Sequence, residues 1–120
     1  MIYITGDTHA DFSRFEENKF PIQSEMTKND YIIICGDFGG VCNYIVESIY
    51  EKHWLDWLNN KNFTTLFVDG NHENFERLYN YPVEEWHGGK VHQIRESVIH
   101  LMRGDIFNID NKKFFTFGGA

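Results

Sequence analysis

Three short apolar runs punctuate the first half of the chain: MIYIT at residues 1–5, YIIIC at 31–35 and LFV at 66–68, each stopped by a Gly-Asp or Asp-Gly pair. Unbroken apolar runs of this length, rich in β-branched residues and closed by turn formers, predict strands buried in a sheet. Between them the period lengthens. Ser13 followed by Glu16 has the pattern of a capping box and predicts a short helix that ends near Phe20-Pro21. Residues 43 to about 59 place Ile45, Val46, Ile49, Trp54, Leu55 and Leu58 on the apolar face of a longer helix, and NHENFERLYNY predicts a short one that closes before Pro82. Strand, loop and helix in succession, three times over, point to an α/β fold of parallel strands joined by crossovers. From about residue 90 the texture changes to VHQI, SVIHLM, DIFNI and KFFTF, separated by charged turns, which predicts an antiparallel meander.

The chain has 120 residues, 42% of them hydrophobic and 17% aromatic, enough for one modest core and one domain. A formal charge of −7 excludes non-specific binding to a nucleic-acid backbone, which needs clustered Lys and Arg. Cys35 and Cys42 form neither a disulfide framework nor a zinc signature, and a reduced, cytoplasmic setting is expected. No signal peptide or membrane span is read, so no membrane partner is expected.

Chemistry concentrates at the ends of the three runs. In open α/β sheets the loops beyond the carboxyl ends of the parallel strands converge, and sites form there. The first end carries Asp7 and His9, two apart and therefore on one side of an extended backbone, with Thr8 pointing away. The second carries Asp37, whose two oxygens can bridge two cations, among Gly36, Gly39 and Gly40, which permit close backbone approach. The third carries Asn71, a neutral oxygen donor, and His72, an imidazole that reads as a proton donor or anion contact, with Glu73 as a weaker candidate to orient it. Each turn alone has a mundane explanation as a cap or tight turn. Three consecutive strand ends that all offer metal-ligand types do not.

GDTHADF, CGDFGG and VDGNHE resemble, in order, the D-x-H, G-D-x-x-G and G-N-H-[DE] motifs of the calcineurin-like metallophosphoesterase superfamily, and HLMRGDIFNID with FFTFGGA is similar to its small bacterial and phage members. The resemblance implies a four-layer αββα sandwich, of which the strand–helix units and the meander would be the first part. It also implies metal-dependent hydrolysis of a phosphate mono- or diester at a two-metal centre. Carried over, Asp7 and His9 bind a first divalent ion, Asp37 bridges, and Asn71 binds a second, the ions being Mn, Fe, Zn or Ni. A metal-bound hydroxide would attack phosphorus in line, with His72 as general acid at the leaving oxygen.

The family also supplies a later histidine and a Gly-His-x-His motif, and neither is found, so residues 1–120 read as a single domain truncated at its C-terminus. His87, in a loop, is the least implausible substitute ligand. His92 and His100 read as core or edge residues, and His53 as a surface or packing residue. Trp86, His87 and Arg103 are conceivable substrate contacts, an exposed-loop or structural role being at least as plausible for each. An uncovered sheet face or edge predicts self-association. The alternative to an enzyme is a catalytically silent remnant or interaction module of the same fold. An anion-binding domain without metal is disfavoured, because Asp7 and Asp37 would repel the ligand.

Overall fold

A computed structural model describes residues 1–42 and 46–118 of the chain. Among the described residues eight strands and two α-helices follow in order: β1 (Ile2–Thr5), β2 (Tyr31–Cys35), α1 (Ile49–Asn59), β3 (Thr64–Val68), α2 (Phe75–Tyr79), β4 (Val83–Trp86), β5 (Gly89–Arg95), β6 (Val98–Leu101), β7 (Ile106–Ile109) and β8 (Lys112–Phe115). Six form one mixed sheet in the order β1-β2-β3-β6-β5-β4, and β7 and β8 form a separate hairpin. β1, β2, β3 and β6 are mutually parallel, while β5 and β4 are antiparallel additions at the far side. The α/β class and the parallel-then-antiparallel sequence of strands match the expectation. One particular is new: the SVIHLM run does not merely pair with its hairpin neighbour but docks in parallel beside β3.

Both faces of the sheet are covered, and β2 shows how. Ile32 and Ile34 face one cluster with Phe12, Phe38, Leu55, Leu58, Phe63 and Phe67, beneath α1. Tyr31 and Ile33 face the other with Leu66, Ile99, Phe107 and Ile109, beneath the β7–β8 hairpin. The period of two therefore splits an apolar run between two cores, which is why YIIIC carries no polar alternation. β1 departs from the expectation of a buried strand: it is the sheet's edge, and Ile4 is 64% exposed.

The helical expectations need correction at two places. Ser13–Phe15 and Pro21–Glu25 are two 3-10 turns, so no α-helix lies between β1 and β2. Ser13 does not cap; its N–H is itself accepted by Asp11 Oδ1 at 3.1 Å, and Glu16 is extended at ψ 146°. Pro21 then restricts the residue before it and starts the second turn. The long helix begins at Ile49, not near 43, behind a complete capping box of Ser48 and Glu51. Leu55 and Leu58 are fully buried as expected, but Val46 and Ile49 are 68% and 91% exposed, and Ile45 lies outside the described residues. The end of α1 is tied down by Lys28, whose ammonium donates to the carbonyls of Asn59, Lys61 and Phe63.

Candidate metal centre

The loop after β1 is pinned to the loop after β2 by backbone hydrogen bonds, with one side chain added. Thr8 N–H and His9 N–H donate to Asp37 O at 3.2 and 2.8 Å, and Ala10 N–H donates to Phe38 O at 3.0 Å. Thr8 is buried, with its hydroxyl on Phe38 O at 2.8 Å, so it does turn away from Asp7 and His9. Gly39 makes the approach possible, because a Cβ there would lie 2.5 Å from Ala10 N. Arg14 braces the same loop from outside, donating to Thr5 Oγ1 at 2.9 Å and to Asp7 O at 3.0 Å. Phe38 anchors the second loop in the core, its ring stacked on Phe67 of β3 with centroids 4.0 Å apart.

The loop after β3 is held to the loop after β2 by Glu73. Its carboxylate accepts N–H from Phe38 and Gly39, both at 2.9 Å, and from Gly70 at 3.2 Å. Glu73 therefore does not orient His72, as the adjacent position suggested; it clasps two loops together. Asp37 orients His72 instead, accepting the His72 N–H at 2.9 Å and facing its Nδ1 at 3.0 Å. These two contacts from His72 hold the Asp37 carboxyl below the usual carboxylate range. Gly70 is again a close approach, since a Cβ would fall 2.1 Å from Asp37 Oδ1.

The outcome is a converging donor set. One ligand atom each of His9, Asp37 and His72 lies within 4.8 Å of the others. Asp37 sits between its neighbours: His9 Nε2 is 3.7 Å from its Oδ2, and His72 Nδ1 approaches the same oxygen from the third loop. Asp7 joins through His9, Oδ2 to Nε2 at 2.5 Å. The Asn71 amide lies against Asp37: turned so that its hydrogen bonds are satisfied, its nitrogen donates to Oδ1 at 3.1 Å, and turned by half it presents its oxygen there. Oxygen and imidazole donors crowded around one carboxylate fit divalent cations, and the missing Cβ at Gly70 leaves that carboxylate accessible. All five sequence-expected site residues are brought together. His9, Ala10 and Asp37 pay for it with left-handed backbone, φ 47°, 66° and 44°.

The other histidines lie elsewhere. His87 does not substitute as a ligand in this arrangement: its ring rests against Tyr31, at the opposite end of β2 from Asp37, and its Nδ1 meets Asn108 O at 2.9 Å. His53 is exposed beside Trp54, as a surface residue should be. His92 and His100 are fully buried and stacked, with Nδ1 atoms 2.9 Å apart. His100 Nε2 points at Asp69 from 3.7 Å, too far for a hydrogen bond. Neither Nε2 has a hydrogen-bond partner among the described residues. Sequence reasoning missed the roles of Arg14, Glu73 and Asp69; only Glu73 left a signal, a carboxylate next to the ligand turn.

Neither the curated proteins nor the solved structures contain a match to the chain. A family model described as calcineurin-like phosphoesterase, however, matches residues 1–119, nearly the whole length. With its three motif turns gathered around Asp37, the chain belongs to the calcineurin-like phosphoesterase family, whose members are metal-dependent phosphoester hydrolases.

Proposed function

We propose that this chain hydrolyses a phosphate mono- or diester, using two divalent cations held by Asp7, His9, Asp37 and Asn71, with His72 donating a proton to the leaving oxygen. The observation that carries the reading is the convergence of His9, Asp37 and His72 from three separate strand-end loops. His9 and His72 both approach Oδ2 of Asp37 and the Asn71 amide lies against its Oδ1, so both carboxylate oxygens face donor side chains, which supports a bridging role. When bound, such ions polarise the phosphoryl group and provide a nucleophile at neutral pH. The chain's own contribution is position. Asp37 holds His72 by both its backbone N–H and its Nδ1, which turns Nε2 away from the carboxylate, so a proton on Nε2 is delivered outward to a departing alkoxide.

His72 can be assigned two roles, ligand or acid, and they separate in one experiment. With His72→Asn, the acid role predicts unchanged metal stoichiometry and a kcat loss of about 10²–10⁴ that shrinks for leaving groups of low pKa. A ligand role predicts loss of metal. Asp37→Asn should abolish both metal uptake and turnover of a chromogenic phosphodiester. No bound metal and no turnover at millimolar Mn²⁺ in the wild type would sink the reading. A silent module of the same fold is the second reading, favoured by the openness of the site, where the side chains of Asp7, His9 and His72 are all more than half exposed; it predicts metal uptake without turnover.

Self-association is part of the proposal. Ile4, Phe115 and Phe117 are 64%, 64% and 79% exposed, and β1 leaves one edge of the main sheet unpaired.

A further inference from the structure

Three strand ends account for the donor set, but the sheet has a fourth parallel strand. β6 runs beside β3 with Val68 opposite Leu101, so the residues after β6 emerge at the same edge as the loops carrying Asp7, Asp37 and Asn71. Continued by two residues, that register sets Arg103 level with Gly70, next to Asn71.

Arg103 is held there rather than free. Its Nε donates to both oxygens of Asp69, at 3.1 and 2.9 Å, and Asp69 is fully buried. The Arg103 Cζ lies 5.3 Å from the Phe75 ring centroid, and Gly118 packs so closely that a Cβ would fall 2.1 Å from Nε. The side chain is nonetheless 45% exposed, and neither of its Nη groups has a partner among the described residues. A guanidinium anchored through Nε keeps a planar two-donor fork that matches two phosphate oxygens. The contrast with Arg14 is direct, because the Nη groups of that residue are taken up by Thr5, Gly6 and Asp7. An oriented cation at the sheet edge that carries the donor set has no structural work left for its outer nitrogens.

We propose that Arg103 is a substrate-binding residue whose Nη fork holds the non-reacting oxygens of the substrate's phosphoryl group, with Asp69 setting its orientation. The inference rests on the phosphoesterase reading above. The test compares wild type, Arg103→Lys, Arg103→Met and the double variant Asp69→Asn/Arg103→Met, all metal-loaded, by turnover of the chromogenic ester, inhibition by inorganic phosphate and thermal melting.

Arg103→Met is expected to raise KM and the phosphate inhibition constant together by about 10-fold or more, with kcat little changed, since it removes binding common to ground and transition states. Arg103→Lys, which keeps the charge but not the fork, should fall between. The double variant removes the buried carboxylate that loses its partner, so it should melt closer to wild type and still show the raised KM. If Arg103→Met lowers only the melting temperature, or if the double variant regains the wild-type KM, Arg103 is merely the counter-ion of Asp69 and the inference is overturned. Absence of turnover in the wild type overturns the phosphoesterase reading itself, and this inference with it.

Discussion

At the scale of the residue, the centre is assembled by groups that never face it. Glu73 accepts hydrogen bonds from three backbone N–H groups. Glu73→Gln preserves volume but turns an NH₂ group toward those donors. The expected outcome is a stability loss of about 1–3 kcal/mol, and metal affinity weaker by about 10–100-fold although no ligand has changed. Calorimetric melting and metal titration read the two effects; unchanged affinity would show that the clasp is dispensable. The ligand types themselves were legible in the sequence, because Asp7, His9, Asp37, Asn71 and His72 stand in loops directly after apolar runs. The clasp was not, because two of its three donors, Phe38 and Gly39, belong to a loop more than thirty residues away. Adjacency to His72 suggested a partner in sequence, whereas the geometry of a tight turn sent the side chain across to another strand end.

At the scale of the element, two identical-looking signals had different fates. Ser48 and Glu51 form a true capping box that starts α1, whereas Ser13 and Glu16 accompany only a 3-10 turn. The difference lies downstream of each serine. After Ser48 an eleven-residue run supplies Leu55 and Leu58 to the core, while after Ser13 the chain soon reaches Pro21. A cap stabilises a helix that packing already favours; it does not create one. Ser48→Ala is therefore expected to cost about 1 kcal/mol, read as a shifted denaturation midpoint at constant slope. A neutral result would mean that α1 is held wholly by its buried face. β6 teaches the same lesson in reverse. Val98–Leu101 is buried at every position, which is the mark of a strand covered on both faces, and that unbroken pattern was the available sign that it sits centrally beside β3. Periodicity tells which residues are covered but not which strand lies alongside, so the fourth strand end escaped the pattern, and Arg103 stood in the sequence as a conceivable substrate contact with no strand end to place it.

At the scale of the molecule, stability should depend on pH through the buried imidazole pair. Burial first, and the neighbouring His100 second, push the His92 pKa below its ordinary value, against a smaller opposing pull from Asp69; the Tyr79 ring packs on both imidazoles. A depressed histidine pKa means that the unfolded chain takes up the proton first. The stabilisation is present above the unfolded value, near 6.5, and is lost as pH falls through the lower folded one. Melting temperature should therefore drop from about pH 7 to about pH 5, and His92→Phe should flatten that limb; a wild-type profile already flat there would contradict it. The exposed apolar side chains make a second expectation. Sedimentation should show mass rising with protein concentration, and Phe115→Asp with Phe117→Ser should return it to that of one chain, whereas a monomer at every concentration would remove self-association from the proposal. The backbone clasps between strand-end loops carry one more consequence, for the order of events in folding. Each parallel pairing of β1 with β2, β2 with β3 and β3 with β6 joins partners about thirty residues apart, so loop closure is slow and costly before any of it is rewarded. Cation donors drawn from three such strand ends meet only after registration is complete. On the proposed reading a divalent ion would arrive too late to template this chain; it is expected to act as a lock that slows unfolding and leaves the refolding rate unchanged.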